Sequence, residues 1–92
     1  MIAARDRVMA KKTEWYRALK ESSPCTDCGN FYPYYVMQYD HIGDDKVRGV
    51  ADLAGGGYPR EMVLAEIAKC ELVCANCHAI RTHQRHLDRS AL

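Results

Sequence analysis

The sequence predicts one small α+β domain in which metal-binding cysteines join the two ends of the core. Three observations predict it. Two C-x-x-C pairs, Cys25 with Cys28 and Cys74 with Cys77, are separated by a long intervening segment. The first part of that segment is rich in aromatic and β-branched residues, which are typical of strands. Apolar residues recur at helical spacing before the first pair.

Size and composition favour a single soluble, globular unit. A chain of 92 residues is short enough for one domain, and a domain of this size often needs a metal ion or a disulfide for stability. The net charge of +1 gives no overall argument for a nucleic-acid partner, although residues 25–69 are acidic and both flanking segments are basic. No transmembrane run is present, so no membrane partner is expected.

The expected compartment is the cytoplasm, because charged residues interrupt the start of the sequence and leave no apolar signal region. For a phage-encoded chain this means the host cytoplasm. Thiols stay reduced there, which favours metal binding over disulfides for the paired cysteines.

Local patterns place the first elements along the chain. A helix is expected over residues 4–21, within an N-terminal arm of residues 1–24, and Pro24 disfavours its continuation. The composition of residues 31–42 predicts a strand or a hairpin, and the polar, glycine-rich stretch 43–57 predicts a loop. The first helix would bury one stripe, made of Val8, Met9, Trp15, Tyr16 and Leu19.

The second half of the chain predicts two helices and a short strand. One helix is expected from Pro59 to Ala68, with Pro59 in its first position. A strand over 70–73 follows, and a last helix runs from about Cys74–Cys77 to about Leu87. The buried stripe of the first of these helices would comprise Met62, Val63 and Ile67.

The doubled C-x-x-C pattern predicts a structural zinc site. Two thiolates at this spacing can bind one tetrahedral ion from a single turn, and two such pairs make a closed four-sulfur site. Disulfides or a redox function are the alternatives, but the latter requires a thioredoxin-like βαβ context that the sequence lacks. Cys70 is left over and is expected to be a small buried apolar residue.

The position of each pair also predicts an architecture. The first pair would lie on a knuckle before a hairpin, and the second at the start of the last helix. Zinc would then join the start of the core to its end, in the arrangement called a treble clef.

Two short motifs accompany the cysteines: Asp40-His41-Ile42 at the end of the predicted strand, and His78 directly after Cys77. In this combination, the sequence from residue 25 to about 83 resembles the zinc-containing HNH endonucleases, the ββα-metal nucleases of phage and bacterial proteins. The resemblance implies a ββα-metal HNH core over residues 25–87, preceded by the N-terminal helix.

The resemblance also implies a mechanism. His41 would be the general base that activates water, while Asp40 and His78 would bind a catalytic divalent metal. Histidine titrates near neutrality and can accept a proton there, and a divalent cation neutralises charge that develops on the phosphate. Magnesium or manganese is favoured for this ion, with nickel or zinc as alternatives. The implied partner is DNA, bound by this chain alone or within a larger packaging, recombination or restriction machine.

One position departs from the family pattern. The related nucleases usually have an asparagine nine residues before the final histidine, where this chain has Lys69, which cannot accept a hydrogen bond. Lys69 would then contact phosphate, or another group would hold His41, or catalysis would be weakened.

Three further residues follow His78 on the predicted helix. Some of the nucleases that the sequence resembles have a metal ligand four residues after the final histidine, where this chain has Thr82. Thr82 lies about 40° from His78, so Thr82 or water would complete the metal coordination. His83 lies about 140° away and is expected to be packed or solvated. Arg85 lies about 20° from His78 and would contact flanking phosphates or be solvated.

Three functional classes are compatible with these patterns. The first is a metal-dependent DNA endonuclease. The second is a non-catalytic zinc module that binds DNA or protein, which the lysine at position 69 favours and the intact Asp40, His41 and His78 oppose. The third is an interaction protein, such as a phage accessory factor, whose nuclease site has decayed.

Overall fold

The computed structural model describes the backbone of residues 4–90 and the side chains of residues 7–90. It has the expected α+β composition, and no helix in this part of the chain is long and apolar enough to span a membrane. The elements in chain order are α1 (Ala4–Glu21), a 3-10 turn (Tyr34–Val36), β1 (Met37–His41), α2 (Val50–Gly55), α3 (Arg60–Ile67), β2 (Cys70–Cys74) and α4 (Ala75–Ser90).

The sheet consists of β1 and β2, which pair antiparallel with Met37 opposite Cys74 and His41 opposite Cys70. Of the two alternatives expected for residues 31–42, the structure has the strand, β1, which a 3-10 turn precedes. The hairpin expected after the first knuckle is wrong, because two helices separate β1 from its partner strand. Side chains alternate between the faces of a strand. One face of the sheet therefore carries His41, and the other carries Asp40.

The buried side chains form two clusters, one toward each end of the sheet. The cysteine cluster comprises Cys25, Met37, Val73, Cys74 and Cys77. The helical cluster comprises buried residues of α2 and α3: Val50, Leu53, Ala54 and Val63. Partly buried side chains from α1, both strands, α3 and the turn before α3 pack against it: Trp15, Tyr16, Tyr39, Tyr58, Ile67 and Cys70. Each strand contributes to both clusters, so the sheet joins the cysteine end of the domain to its helical end.

Helix α2 lies inside the stretch 43–57 that was expected to be a loop, and this expectation is wrong for residues 50–55. Val50, Leu53 and Ala54 recur at helical spacing and are buried, which explains the helix despite the glycines that follow it. Pro59 is the N-cap of α3 and not its first residue, since it is extended (ψ 154°) and the helix begins at Arg60.

The buried stripe of α3 differs from the expected one. Val63 is fully buried and Ile67 partly buried, but Met62 is exposed. The other buried side chain of α3 is a carboxylate, Glu66. In α1, Val8 was expected on the buried stripe but is also exposed. Helix α4 starts where expected and continues to Ser90, slightly beyond its expected end.

A buried lysine of α1 holds the end of α2. Lys12 is only 5% exposed, and its Nζ donates hydrogen bonds to the carbonyl oxygens of Leu53 (2.9 Å), Gly56 (2.8 Å) and Tyr58 (2.5 Å). The last carbonyls of a helix lack partners within it, and a cation there also interacts favourably with the helix dipole. Lys12 therefore stabilises a helix of only six residues and the glycine-rich turn behind it.

Lys12→Met should lower the free energy of unfolding by about 2 kcal/mol or more, because three carbonyls lose one shared donor and those that stay buried are left without a partner. Urea unfolding of the zinc-loaded protein measures this loss. Lys11→Met is the matched control: Lys11 is exposed on the same helix, and its replacement should change stability by no more than about 0.5 kcal/mol. Equal stability of both variants would contradict the capping role.

Candidate functional site

The four cysteines expected to bind zinc come together. Their Sγ atoms all lie within 4.8 Å of one another, with Cys25, Cys74 and Cys77 buried and Cys28 exposed. Four sulfurs around a tetrahedral zinc at about 2.3 Å lie about 3.8 Å apart, so this donor set fits the ion with small adjustments. This four-sulfur site can therefore bind one structural zinc, as the spacing of the pairs predicts.

Local backbone geometry builds each half of the four-sulfur site. Gly29 has φ 76°, a left-handed conformation, and its N–H donates to the carbonyl of Cys25 at 2.9 Å, which closes the first knuckle. In the second half, the backbone N–H of Cys77 donates to Sγ of Cys74 at 3.4 Å, and the N–H of Cys74 donates to Sγ of Cys25 at 3.3 Å. Such donors stabilise thiolates, the form that binds metal.

The thiols of the four-sulfur site differ in acidity. Burial raises the pKa of Cys25, but backbone hydrogen bonds from Cys28, Cys74 and Asp27 outweigh it and lower the pKa to about 6. Cys77 has a pKa raised to about 12, first by its hydrogen bond to the side chain of Cys74 and then by burial. Adjacent thiolates repel one another, and a bound cation offsets this repulsion. The site therefore needs a cation to be fully ionised.

Asp40 and His78 meet on the face of the sheet that packs against α4. Oδ1 of Asp40 lies 3.6 Å from Nε2 of His78, and the other ring nitrogen of His78 is hydrogen-bonded to Oε1 of Gln38 on the same strand as Asp40. The carboxylate is buried, whereas a third of the imidazole side chain is exposed. Two residues that are distant in sequence thus form a pair at the surface of the domain.

Two arginines of α4 bind the carboxylate of Asp40. Arg85 donates to both oxygens (2.8 and 2.7 Å), and Nη1 of Arg81 donates to Oδ2 at 2.9 Å. The hydrogen bond from Arg85 is the largest cause that lowers the pKa of Asp40 to about 2, against the opposing effect of burial. Arg81 also contacts Asp27 and Glu71. Arg85 therefore lies near His78, as its helical angle predicts, but its guanidinium binds a carboxylate.

On the opposite face, His41 is bound by a buried carboxylate. Nε2 of His41 lies 2.7 Å from Oε2 of Glu66, and the side chain of Glu66 is 4% exposed. Burial raises the pKa of Glu66, but hydrogen bonds from His41, Lys69 and the backbone of Val47 outweigh it and lower the pKa to about 2. An ionised carboxylate only accepts hydrogen bonds, so Nε2 carries a proton, and in the neutral ring Nδ1 keeps its lone pair.

Lys69 lies beside this pair. Its Nζ donates to Oε1 of Glu66 at 3.1 Å and to the carbonyl of Asp45, in the loop after β1, at 2.8 Å. Its own carbonyl accepts a hydrogen bond from the backbone N–H of Ile42 at 3.1 Å. Lys69 thus connects the loop that follows His41 to α3.

Two other candidates lie along α4. Thr82 and His83 line one open cavity together with His78, and both are exposed. His83 is therefore solvated rather than packed.

The leftover Cys70 lies outside the four-sulfur site and is partly buried, with its Sγ 3.3 Å from the carbonyl of Glu66.

Sequence reasoning missed Glu66 and Arg81. A glutamate in a short helix resembles any solvated acid, although its spacing of three residues from the buried Val63 was a usable signal. Arg81 lies three residues after His78 and therefore on the same side of α4, which its helical angle could have shown. Arg81 contacts three carboxylates that lie on separate elements, and only the fold brings these elements together.

Cys74→Ser should leave a largely unfolded chain, because structural zinc contributes folding free energy on the order of 10 kcal/mol in small metallodomains. Circular dichroism and zinc analysis of the purified variant measure this. Cys70→Ser is the control: its thiol is outside the four-sulfur site, so the variant should keep one zinc per chain and stay folded. Cooperative folding of the wild type after complete removal of metal would contradict the zinc requirement.

Glu66→Gln should change the tautomer of His41, since an amide can donate to Nε2 where the carboxylate can only accept. Nitrogen chemical shifts of His41 at neutral pH report the tautomer directly. The wild type should show the proton on Nε2, and the variant should show a mixture or the Nδ1–H form. Glu61→Gln, in the exposed first turn of the same helix, should leave the shifts unchanged. An Nδ1–H ring in the wild type would overturn the pairing described for Glu66.

Comparison with known proteins adds no relative to this picture. No family model, no curated protein and no solved structure matches the chain. What the site can do therefore follows from its own residues: four sulfurs that can hold zinc, a histidine fixed by a buried acid, and an acid–histidine pair on the other face of the same strand.

Proposed function

We propose that this chain is a metal-dependent DNA endonuclease of the HNH type, with a treble-clef arrangement around the zinc-binding cysteines. The observation that carries the proposal is the contact between Asp40 and His78, in which Oδ1 of the acid lies 3.6 Å from Nε2 of the histidine. Asp40 lies on β1, the strand that also carries His41. These are the three residues to which the resemblance assigns catalysis. The antiparallel pairing of β1 with β2, which leads directly into α4, also supports the proposed ββα-metal core.

His41 is the general base in this proposal. Glu66 fixes Nε2 as the protonated nitrogen, which leaves Nδ1 to accept a proton from a water molecule that attacks the phosphodiester. Glu66 also stabilises the imidazolium that forms. The side chain of His41 is 14% exposed, so the ring is positioned by protein contacts yet reachable from solvent.

Asp40 and His78 fit the metal that the family implies. Two ligand atoms about 2.1 Å from one ion lie about 3 Å apart at octahedral angles, so a separation of 3.6 Å needs only small side-chain rotations. A divalent ion, magnesium or manganese, would supply neutralisation of phosphate and leaving-group charge. To bind it, Asp40 must exchange part of its contact with Arg85, whose side chain is 44% exposed and would then turn toward a phosphate. Thr82 borders the same cavity as His78 and is a candidate to complete the coordination with water.

The second candidate is a zinc module that binds DNA or protein without cleaving it. The observation that favours it is the saturation of Asp40, whose two oxygens accept three hydrogen bonds from Arg81 and Arg85. In that case, Asp40 is a structural ion-pair partner and Lys69 a structural replacement for the family's asparagine. A plasmid-nicking assay with magnesium or manganese separates the two candidates.

His41→Ala should abolish detectable nicking, because loss of a general base costs about 10²–10⁴ in rate, while DNA and the divalent ion still bind. His78→Ala should instead shift the metal requirement to higher concentration. Nicking rates over a titration of manganese, compared with direct manganese binding, measure both effects.

Gln84→Ala is the matched control for these variants, since it removes an exposed side chain of α4 that borders none of the cavities described above and whose hydrogen bond goes to Asp88. It should keep wild-type activity. If the wild type cleaves no form of DNA with either metal, the non-catalytic candidate replaces the nuclease. Wild-type activity in His41→Ala would show that the base is misassigned.

A further inference from the structure

We propose that the free edge of β1 lies in a groove that binds a single strand of DNA, an inference that rests on the nuclease function proposed above and names its substrate. Three cavities of about 280, 240 and 550 Å³ adjoin one another; the second and third are lined in part by β1, and the first by α1, the 3-10 turn and α2. The first two share Tyr16, Lys20 and Ala51, and the last two share Gln38. Together they form the groove called here the β1-edge groove.

The lining of the β1-edge groove carries cationic and neutral side chains. Among residues 7–90, no aspartate or glutamate lines any of the three cavities, although the chain has 12 acidic residues against 13 basic ones. The lining includes Arg17, Lys20, Lys46 and Arg89, together with all four histidines of the chain. The basic side chains thus line the groove while the acidic ones lie elsewhere. This gives the groove a local positive charge that suits a polyanion, in a chain whose net charge is +1.

Asp40, Glu66 and Glu21 each contact a residue of the lining, namely His78, His41 and Tyr34. Asp40 is bound by Arg81 and Arg85, and Glu66 by Lys69, whereas Glu21 accepts a hydrogen bond from the backbone N–H of Tyr34. The lysines and arginines of the lining therefore outnumber the carboxylates beside it that lack a cationic partner among the described residues. This complementarity identifies the occupant as a phosphodiester backbone.

Tyrosines at one end of the groove indicate that the occupant is single-stranded. Tyr35 is 72% exposed and packs edge-on against Tyr34, with ring centroids 5.5 Å apart, while the guanidinium of Arg17 lies 4.4 Å above the Tyr34 ring. Exposed aromatic rings next to cations are platforms on which bases stack, and a base can stack on a protein ring only when it is unpaired. A duplex would leave Tyr35 without a partner.

The groove also passes both proposed reactive groups. His41 lines the middle cavity and His78 the largest one, with Gln38 bordering both. A strand that contacts Lys20 and Lys46 therefore continues across the edge of β1 toward the pair of Asp40 and His78. The groove would place one phosphate between the general base and the metal ligands.

The test measures binding by fluorescence anisotropy, with zinc bound and no magnesium or manganese added. The probes are a labelled single-stranded DNA oligonucleotide, the blunt duplex of the same sequence and the matching RNA strand. Lys20→Glu should weaken binding of the single strand about ten-fold or more and flatten its salt dependence by roughly 0.7 per lost phosphate contact. Lys11→Glu is the matched control: it changes the net charge equally but lies about 180° away on α1, outside the groove.

A second pair of variants tests stacking. Tyr35→Ala should weaken binding of the single strand about ten-fold and leave binding of the duplex unchanged, since base stacking on an aromatic ring is typically worth about this much or more. Phe31→Ala is its control, because Phe31 is also exposed but does not line the groove. Arg17→Glu, at an exposed position of the groove, repeats the charge test if Lys20→Glu unfolds.

Several results would overturn the inference. Equal weakening by Lys20→Glu and Lys11→Glu would show that the groove is not the path of the strand. Tighter binding of the duplex, or of the RNA strand, would show that the substrate is misidentified. Because no step of the binding test requires cleavage, a protein that binds single-stranded DNA as expected but never cuts it refutes the nuclease function alone. A protein that cuts DNA but fails these binding tests refutes the groove alone.

Discussion

The antiparallel pairing of β1 with β2 is the interaction on which the rest of the structure depends. A two-stranded sheet is marginal by itself and needs packing at its faces. Here it receives that packing from two separate clusters, since Met37 and Cys74 belong to the cysteine cluster while Tyr39 and Cys70 pack on the helical one. The same pairing brings the second C-x-x-C pair, at the end of β2, close to the first pair, and it places β1 beside α4. Without it, neither the four-sulfur site nor the contact of Asp40 with His78 could form.

Charged side chains join the elements that the small apolar clusters leave apart. Arg81 of α4 binds Asp27 on the first knuckle, Asp40 on β1 and Glu71 on β2. Lys12 connects α1 to the end of α2, and Lys69 connects the loop after β1 to α3. A domain of this size buries little apolar surface, so its geometry depends more on such bridges than a larger domain's would. Removing one partner of a buried bridge lowers stability strongly, because the remaining charge stays desolvated.

The sequence predicted the parts of the site that are local in the chain. A C-x-x-C pair and a histidine directly after it have fixed relative positions once a turn or a helix forms, so the four-sulfur site and the start of α4 could be expected. Helix α2 was missed because its helical pattern consists of only three buried residues and three glycines follow them. Glu66 was missed because burial of an acid depends on donors brought from elsewhere, namely His41, Val47 and Lys69. The roles of the lysines could not be predicted either, since a buried ammonium and a solvated one look the same in a sequence.

The placement of Asp40 and His41 on opposite faces of one strand has a consequence for how this chain can change in evolution. Insertion or deletion of a single residue within β1 would reverse the faces of every later position in the strand, so the two side chains would exchange surroundings. The acid would then meet Glu66 and the histidine would meet two arginines. Length changes should consequently be absent from residues 37–41 in descendants that keep both side chains in these surroundings. The exposed segment 43–48, in contrast, can vary in length as long as the loop still reaches Lys69.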